Sequence, residues 1–310
     1  MKFLTLIIGL TFLITLSIRL YANTTIQIQC AHQEICGIIQ NIIEQNKKEL
    51  THSQIKFELQ TLFHISGDPH DYEPSMNEIK IFLKSQNIIL GPAALHPWLE
   101  NKIKNHLIQN KNFQKYLFRV DFLESTLNDF AKIGQKNKEA LAHFWIYPMI
   151  YCDFAQQLLK HLNLLSEITK RNLTLGYTCS SKQIEQELKI ALKNTQLPMV
   201  LTHDALLPLI KYVQRDIPTE QQLVVLNLKS SHHHDEIDAR KIKQFENLQK
   251  KNKNILFIIE KEMILPSSIK SKIRPTDKII EIGVEETKKY QPFFVLEQFI
   301  TEINSVNREK

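Results

Sequence analysis

TIQIQ, residues 25–29, alternates polar and apolar side chains, and EICGIIQNIIEQ, residues 34–45, repeats its apolar residues at helical spacing. A period of two gives way to a period near 3.6, so the pair reads as a strand feeding an amphipathic helix. The same alternation continues along the chain. IKFELQTLF (55–63) alternates like a strand, NEIKIFLKS (77–85) is helical, and NIIL (87–90) is a buried strand closed by Gly91-Pro92. PWLENKIKNHLIQ (97–109) is helical and KYLFRV (115–120) is a strand. A β–α–β–α series implies a mainly parallel sheet covered by helices on both faces.

The series pauses between Pro148 and about Asn194, where MIYCDFAQQLLKHL (149–162) and KQIEQELKIALK (182–193) are amphipathic. Between them TLGYTCSS (174–181) is a poor helix former, because β-branched residues and glycine lower helix propensity. Alternation then resumes. PMVLT (198–202) precedes helical ALLPLIKYV, QLVVLNL (222–228) precedes ARKIKQFENLQK, and NILFII (254–259) precedes a short helix near Pro266–Lys272. DKIIEI (277–282) is the last strand and PFFVLEQFITEIN (292–304) the last helix. The simplest organisation is α/β: two (β/α) lobes with mainly parallel sheets, joined by a helical segment.

Composition narrows the function. With 310 residues, 43% of them hydrophobic, the chain can build two domains of roughly 100–150 residues. It has 7 glycines and neither G-x-G-x-x-G nor a Walker pattern, so nothing forms a phosphate cradle. The net charge of +6 comes with lysines scattered along helical faces rather than a basic block interleaved with aromatics, which points away from nucleic acid. The start, MKFLTLIIGLTFLITLSIRLYAN, has Lys2, an apolar run from Phe3 to Ile18 and the small residue Ala22. That is a secretory signal pattern with cleavage after Ala22; as a membrane anchor the run is short and broken by Arg19. No cysteine lies at the cleavage point for a lipid anchor. The expectation is an exported, periplasmic monomer.

Four cysteines, Cys30, Cys36, Cys152 and Cys179, allow three complete pairings, and an exported compartment permits them. No C-x-x-C is present.

In open α/β sheets, ligands bind beyond the carboxyl ends of strands, where elements switch. Three histidines fall in such positions: His70 in GDPHDYEP, His143 in AHFWIYP, and His203 in VLTHDAL. Imidazoles from three separate loops can build a tetrahedral zinc site with a fourth partner. Asp71 and Asp204 each follow a histidine, either as acceptors for a ring N–H or as residues at helix N-termini.

The segment GDPHDYEPSMNEIKIFLKSQNIIL (67–90) resembles the metal-binding segment of the solute-binding proteins that serve zinc and manganese ABC transporters. HFWIYP (143–148) resembles that family's second ligand segment and VLTHDAL (200–206) its third. LHPWLENKI (95–103) also fits, although His96 stands where an acidic residue is usual. The order and spacing match over nearly the whole mature chain. The resemblance implies two lobes joined by one long helix, with metal between the lobes; after the signal peptide at 1–22 this gives an N-terminal lobe at 23–163, a linker helix at 164–194 and a C-terminal lobe at 195–310. Cys152 and Cys179 sit on consecutive helical segments and could pair if these ran antiparallel; the resemblance places TLGYTCSS inside one long helix, which would hold them too far apart. Cys30 and Cys36 can pair only if their Cα atoms come within ~7 Å.

The family's fourth ligand is an acidic residue after the last strand of the second lobe. Here the place holds Gly283, with Glu285 close by, so the fourth partner is open between Glu285, a water and His64. Glu260 matches an acidic position beside the site. A nitrogen-rich set favours Zn2+ over Mn2+. The implied role is capture of the ion and delivery to an ABC permease in the inner membrane, not catalysis. A zinc hydrolase would need a positioned general base, and no H-E-x-x-H is present; a divergent member that has lost transport is the other alternative. His232, His233 and His234 form a short run read either as an accessory metal loop or as solvated residues before a capped helix.

Overall fold

The computed structural model describes residues 24–62, 72–85, 87–93, 95, 99, 117–132, 143–168, 173–202, 205–228, 237, 239–261, 265, 267–283 and 293–308. The signal pattern at 1–22 and the helical segment expected at 97–109 lie outside them, apart from Leu99.

The first sheet contains β1 (Thr24–Cys30), β2 (Ile55–Thr61), β3 (Ile88–Leu90) and β4 (Leu117–Arg119), in the order β2-β1-β3-β4. The second contains β5 (Met199–Leu201), β6 (Val225–Asn227), β7 (Leu256–Glu260) and β8 (Lys278–Ile282), in the order β6-β5-β7-β8. Every described pairing is parallel. The β3 and β5 triplets IIL and MVL are buried throughout, as strands with helices on both faces must be. The two lobes therefore repeat one topology. In each, the strand order reverses beside the lobe's first strand, at β1/β3 and at β5/β7, opening a crevice at the carboxyl ends.

The connecting helices follow the sequence periodicity. α1 (Gln33–Gln45) buries Ile35, Ile38, Ile39 and Ile42, and α2 (Lys47–Ser53) follows it. α3 (Met76–Lys84) starts on a capping box: Ser75 Oγ accepts from Glu78 N, and the Glu78 carboxylate accepts from Ser75 N. The Tyr72 hydroxyl also bonds Glu78, which fixes the chain on entry to the helix. After α4 (Glu124–Lys132), α5 (Pro148–Ile168) crosses between the lobes with Pro148 at its first turn, where the missing N–H costs nothing. The second lobe adds α6 (Ser181–Asn194), α7 (Leu207–Gln214), α8 (Ala239–Lys251), the short α9 (Ser267–Lys270) and α10 (Phe294–Arg308).

One expectation fails here. The stretch 164–194 is not one helix. α5 runs to Ile168, residues 173–180 are extended, and α6 begins at Ser181. The low propensity of TLGYTCSS is decisive because other side chains supply what a helix would have supplied. Asn163 Oδ1 accepts from Leu175 N at 2.7 Å, and its Nδ2 donates to Leu175 O. Asn46 makes the same reciprocal pair with Gly176, and Gln45 with Thr178. Gln156 Nε2 donates to Tyr177 O. Alternate residues face α5 and the α1/α2 corner, as in a strand paired on both edges by amide side chains.

The chain thus doubles back along α5, and Cys152 and Cys179 come together as a disulfide with Cα atoms 5.5 Å apart. The expectation that they are too distant falls with the single long helix. Cys30 and Cys36 form the second bridge, Cα atoms 5.6 Å apart, leaving no free cysteine.

One buried cluster runs through both lobes, from Ile28 and Ile38 through Phe144, Phe154 and Leu158 to Leu201 and Phe299. Phe130 belongs to it. It stacks on Tyr212 of the second lobe at 5.1 Å and meets Tyr147 edge-on at 5.5 Å. No described helix is long and apolar enough to cross a membrane.

Candidate metal centre

His143 is the one expected histidine ligand among the described residues, and it lies just ahead of the turn that leads into α5. It immediately precedes a single 3-10 turn, Phe144–Ile146, and its carbonyl accepts from Ile146 N at 3.1 Å. That turn gives way to α5 at Pro148, so the imidazole is set where the first lobe ends. It is 3% exposed, enclosed by a run in which Phe144, Trp145, Ile146 and Tyr147 are also buried. Its ring meets the indole of Trp145 edge-on, centroids 5.2 Å apart. Enclosed in this way, the ring has little side-chain freedom left.

The third segment is anchored from the first lobe. The Tyr147 hydroxyl donates to the carbonyl of Ala205, two residues beyond His203, in a buried bond. Thr202, on the other side of His203, is itself buried, and its Oγ1 donates to Ile258 O and accepts from Glu260 N at 3.3 Å. Glu260 ends β7, the strand that pairs with β5. Gly283 follows β8 and is buried.

His70, Asp71, His203, Asp204, Glu285 and the run His232, His233 and His234 lie outside the described residues, as does His64. Among the described residues no three His, Cys, Asp or Glu side chains are grouped so as to hold a metal ion.

A histidine outside the expected set shares the indole. His32, two residues past the end of β1, stacks on Trp145 at 5.1 Å with an interplanar angle of 16°. It is 4% exposed and its Nδ1 contacts the buried carboxylate of Glu34. Like His203, it follows a predicted strand in the sequence.

No protein-family model and no curated protein sequence matches the chain. Solved structures do. The Zn(II)-bound form of a mutant AdcAII from Streptococcus pneumoniae is 14% identical, with a TM-score of 0.60 over 93% of this chain and 99% of that one. ZnuA is 14% identical with a TM-score of 0.54, covering 92% of this chain and 99% of that one. The SBP FpvC from P. aeruginosa, in complex with Ni2+, is 13% identical with a TM-score of 0.56, over 92% and 96%.

The chain has the fold of metal-binding solute-binding proteins. At such identities the likeness is one of architecture: two four-stranded parallel sheets with helices, in a two-lobe α/β arrangement.

Proposed function

We propose that this protein is an extracytoplasmic solute-binding protein that captures a divalent transition metal, Zn2+ before Mn2+ or Ni2+, and delivers it to an ABC permease. The ion is cargo and the protein is a carrier, not an enzyme. His70, His143 and His203 are the proposed ligands, with Glu285 as fourth partner and Asp71, Asp204 and Glu260 supporting them. The observation that carries the reading is His143, an imidazole 3% exposed at the lobe boundary of a fold shared with zinc- and nickel-bound proteins. Three imidazoles and one oxygen suit zinc, whereas manganese takes a more oxygen-rich set. The export pattern at 1–22 supports a periplasmic place of work, and the run His232–His234 supports a weaker accessory site.

Isothermal titration of the mature, untagged chain with Zn2+, Mn2+ and Ni2+ tests this. Expected is a tight zinc equivalent that His143→Ala weakens at least 100-fold. A wild-type protein that takes up none of the three ions rejects the reading. A second, weaker zinc equivalent should disappear below about pH 6 as imidazoles protonate. Replacing His232, His233 and His234 by Ser should remove that equivalent and spare the tight one.

A further inference from the structure

We infer that the basic corner formed by the end of α8 and the run 270–278 is a docking surface for an anionic phospholipid bilayer. It lies apart from the candidate metal centre and does not depend on the metal-carrier reading.

Direct bonds join two segments into this corner. Gln249 Nε2 donates to Lys272 O at 2.7 Å, Arg274 donates to the carbonyls of Gln249 and Asn252, and Lys278 N donates to Ile255 O at 2.9 Å. Residues 249–255 and 270–278 therefore share one surface. They hold six lysines and one arginine against a single acid, Asp277, a net charge of +6. The whole chain of 310 residues also carries +6. Lysines scattered along the sequence are gathered here by the fold.

Local pairing accounts for little of this charge. Asp277 is buried and takes up Arg274, and Glu246 takes up Lys272 at 2.6 Å. The C-termini of α8 and α9 end at the corner, and a helix end offsets only about half a unit charge. Lys250, Lys251, Lys253 and Lys270 are exposed and form no ion pair among the described residues.

The chemistry fits a diffuse field of phosphates. Lysine ammonium groups are mobile point charges, whereas a specific phosphate or single-stranded nucleic-acid site draws on guanidinium forks and stacking rings. The one arginine is tied to Asp277, and neither segment contains an aromatic residue. Ile279, next to Lys278 on the edge strand β8, is 48% exposed and gives the rim an apolar side chain for the headgroup layer. The corner stands at the amino ends of β7 and β8, opposite the carboxyl ends where the crevice opens, so docking leaves the crevice clear.

Co-sedimentation of the full-length mature chain with vesicles of phosphatidylglycerol and phosphatidylcholine in equal parts tests this. Binding is expected at low salt, is absent on pure phosphatidylcholine, and is lost in about 0.5 M NaCl, where the field is screened. Each lysine near an anionic leaflet contributes roughly fivefold, so the quadruple variant Lys250→Gln, Lys251→Gln, Lys253→Gln, Lys270→Gln should bind about 100-fold more weakly or worse. Its zinc uptake should match the wild type's. Changing the exposed Lys47, Lys48, Lys80 and Lys84 of the first lobe to Gln removes the same charge and should cost no more than about threefold. An equal loss in both quadruple variants assigns binding to net charge and overturns the inference. So does a wild type that ignores the anionic vesicles, and its retention on immobilised polyglutamate would assign the corner to an acidic protein instead. A wild type that binds the vesicles but takes up no zinc upholds this inference and rejects the carrier reading.

Discussion

The hydroxyl of Tyr147 donates to the main-chain carbonyl of Ala205, 58 residues away and in the other lobe. The residues around it are buried on both sides, so water has no ready access to that carbonyl. A bond of this kind does more than add stability. It fixes the entry to α5, just after His143, relative to the segment that follows β5. Tyr147→Phe removes the donor and leaves the carbonyl buried, which costs about 1–3 kcal/mol. Urea unfolding should show a lower midpoint with an unchanged slope. Zinc should dissociate faster from the variant than from the wild type, since the two ligand segments are no longer tied; equal dissociation rates would detach this bond from the site.

The Cys152–Cys179 bridge closes a long loop, its ends 27 residues apart in sequence. In the chain-entropy account such a bridge stabilises by about 3.5 kcal/mol. The double variant Cys152→Ser, Cys179→Ser should unfold at correspondingly lower urea, with the helices at either end retained. Mass spectrometry of the unreduced protein should find peptides joined 30–36 and 152–179. A different pairing would contradict the return of the chain along α5.

His161, on α5, stacks on Phe118 of β4 at 4.1 Å, and its Nε2 is buried without a hydrogen-bond partner among the described residues. Burial disfavours the imidazolium and pushes the pKa down to about 4 from an ordinary 6.5. Between those values the unfolded chain binds the proton and the folded chain does not. Stability contributed by the neutral ring is thus complete above about pH 6.5 and is lost as pH falls toward 4. The ring keeps some contact with solvent, so the loss is discounted to on the order of 1–2 kcal/mol. In His161→Phe this part of the acid slope should vanish. A slope identical to the wild type's would assign the acid sensitivity to other groups.

Asp277 anchors the start of β8. Its carboxylate accepts from the backbone N–H of Ile255 at 2.9 Å and of Arg274 at 2.9 Å, and from the Arg274 guanidinium at 2.8 Å. Arg274 in turn donates to the carbonyls of Gln249 and Asn252 at the end of α8. Asp277→Ala strands a buried N–H, a part-buried one and an arginine, so a loss of about 3 kcal/mol is expected in urea unfolding, with zinc affinity within a few-fold of the wild type.

The β–α order was readable because each period change is local: TIQIQ into EICGIIQNIIEQ needs no distant partner to be recognised. The place of His143 ahead of the long helix was readable for a similar reason, since it stands at a junction between patterns. The extended run 173–180 was half readable. Its poor helix propensity was visible, but its bonds come from Asn46 and Gln45, some 130 residues earlier, and no local pattern announces them. The His32–Glu34 pair was hidden differently. A histidine and a glutamate at a helix start look like ordinary capping residues, and only the fold sets them against Trp145.

The amide clasp on residues 173–180 also dates the molecule. Each of Asn46 and Asn163 uses both ends of its amide, accepting from a backbone N–H and donating to a backbone carbonyl. Deamidation replaces the donating end with a second acceptor. The Asp formed at position 46 would set a negative oxygen against the carbonyls of Gly176 and Ile42, both now served by one NH2 group. Chemical ageing at Asn46 alone would therefore turn one clasp into a repulsion, leaving the Asn163–Leu175 pair and the Cys152–Cys179 bridge to hold the returning chain against α5.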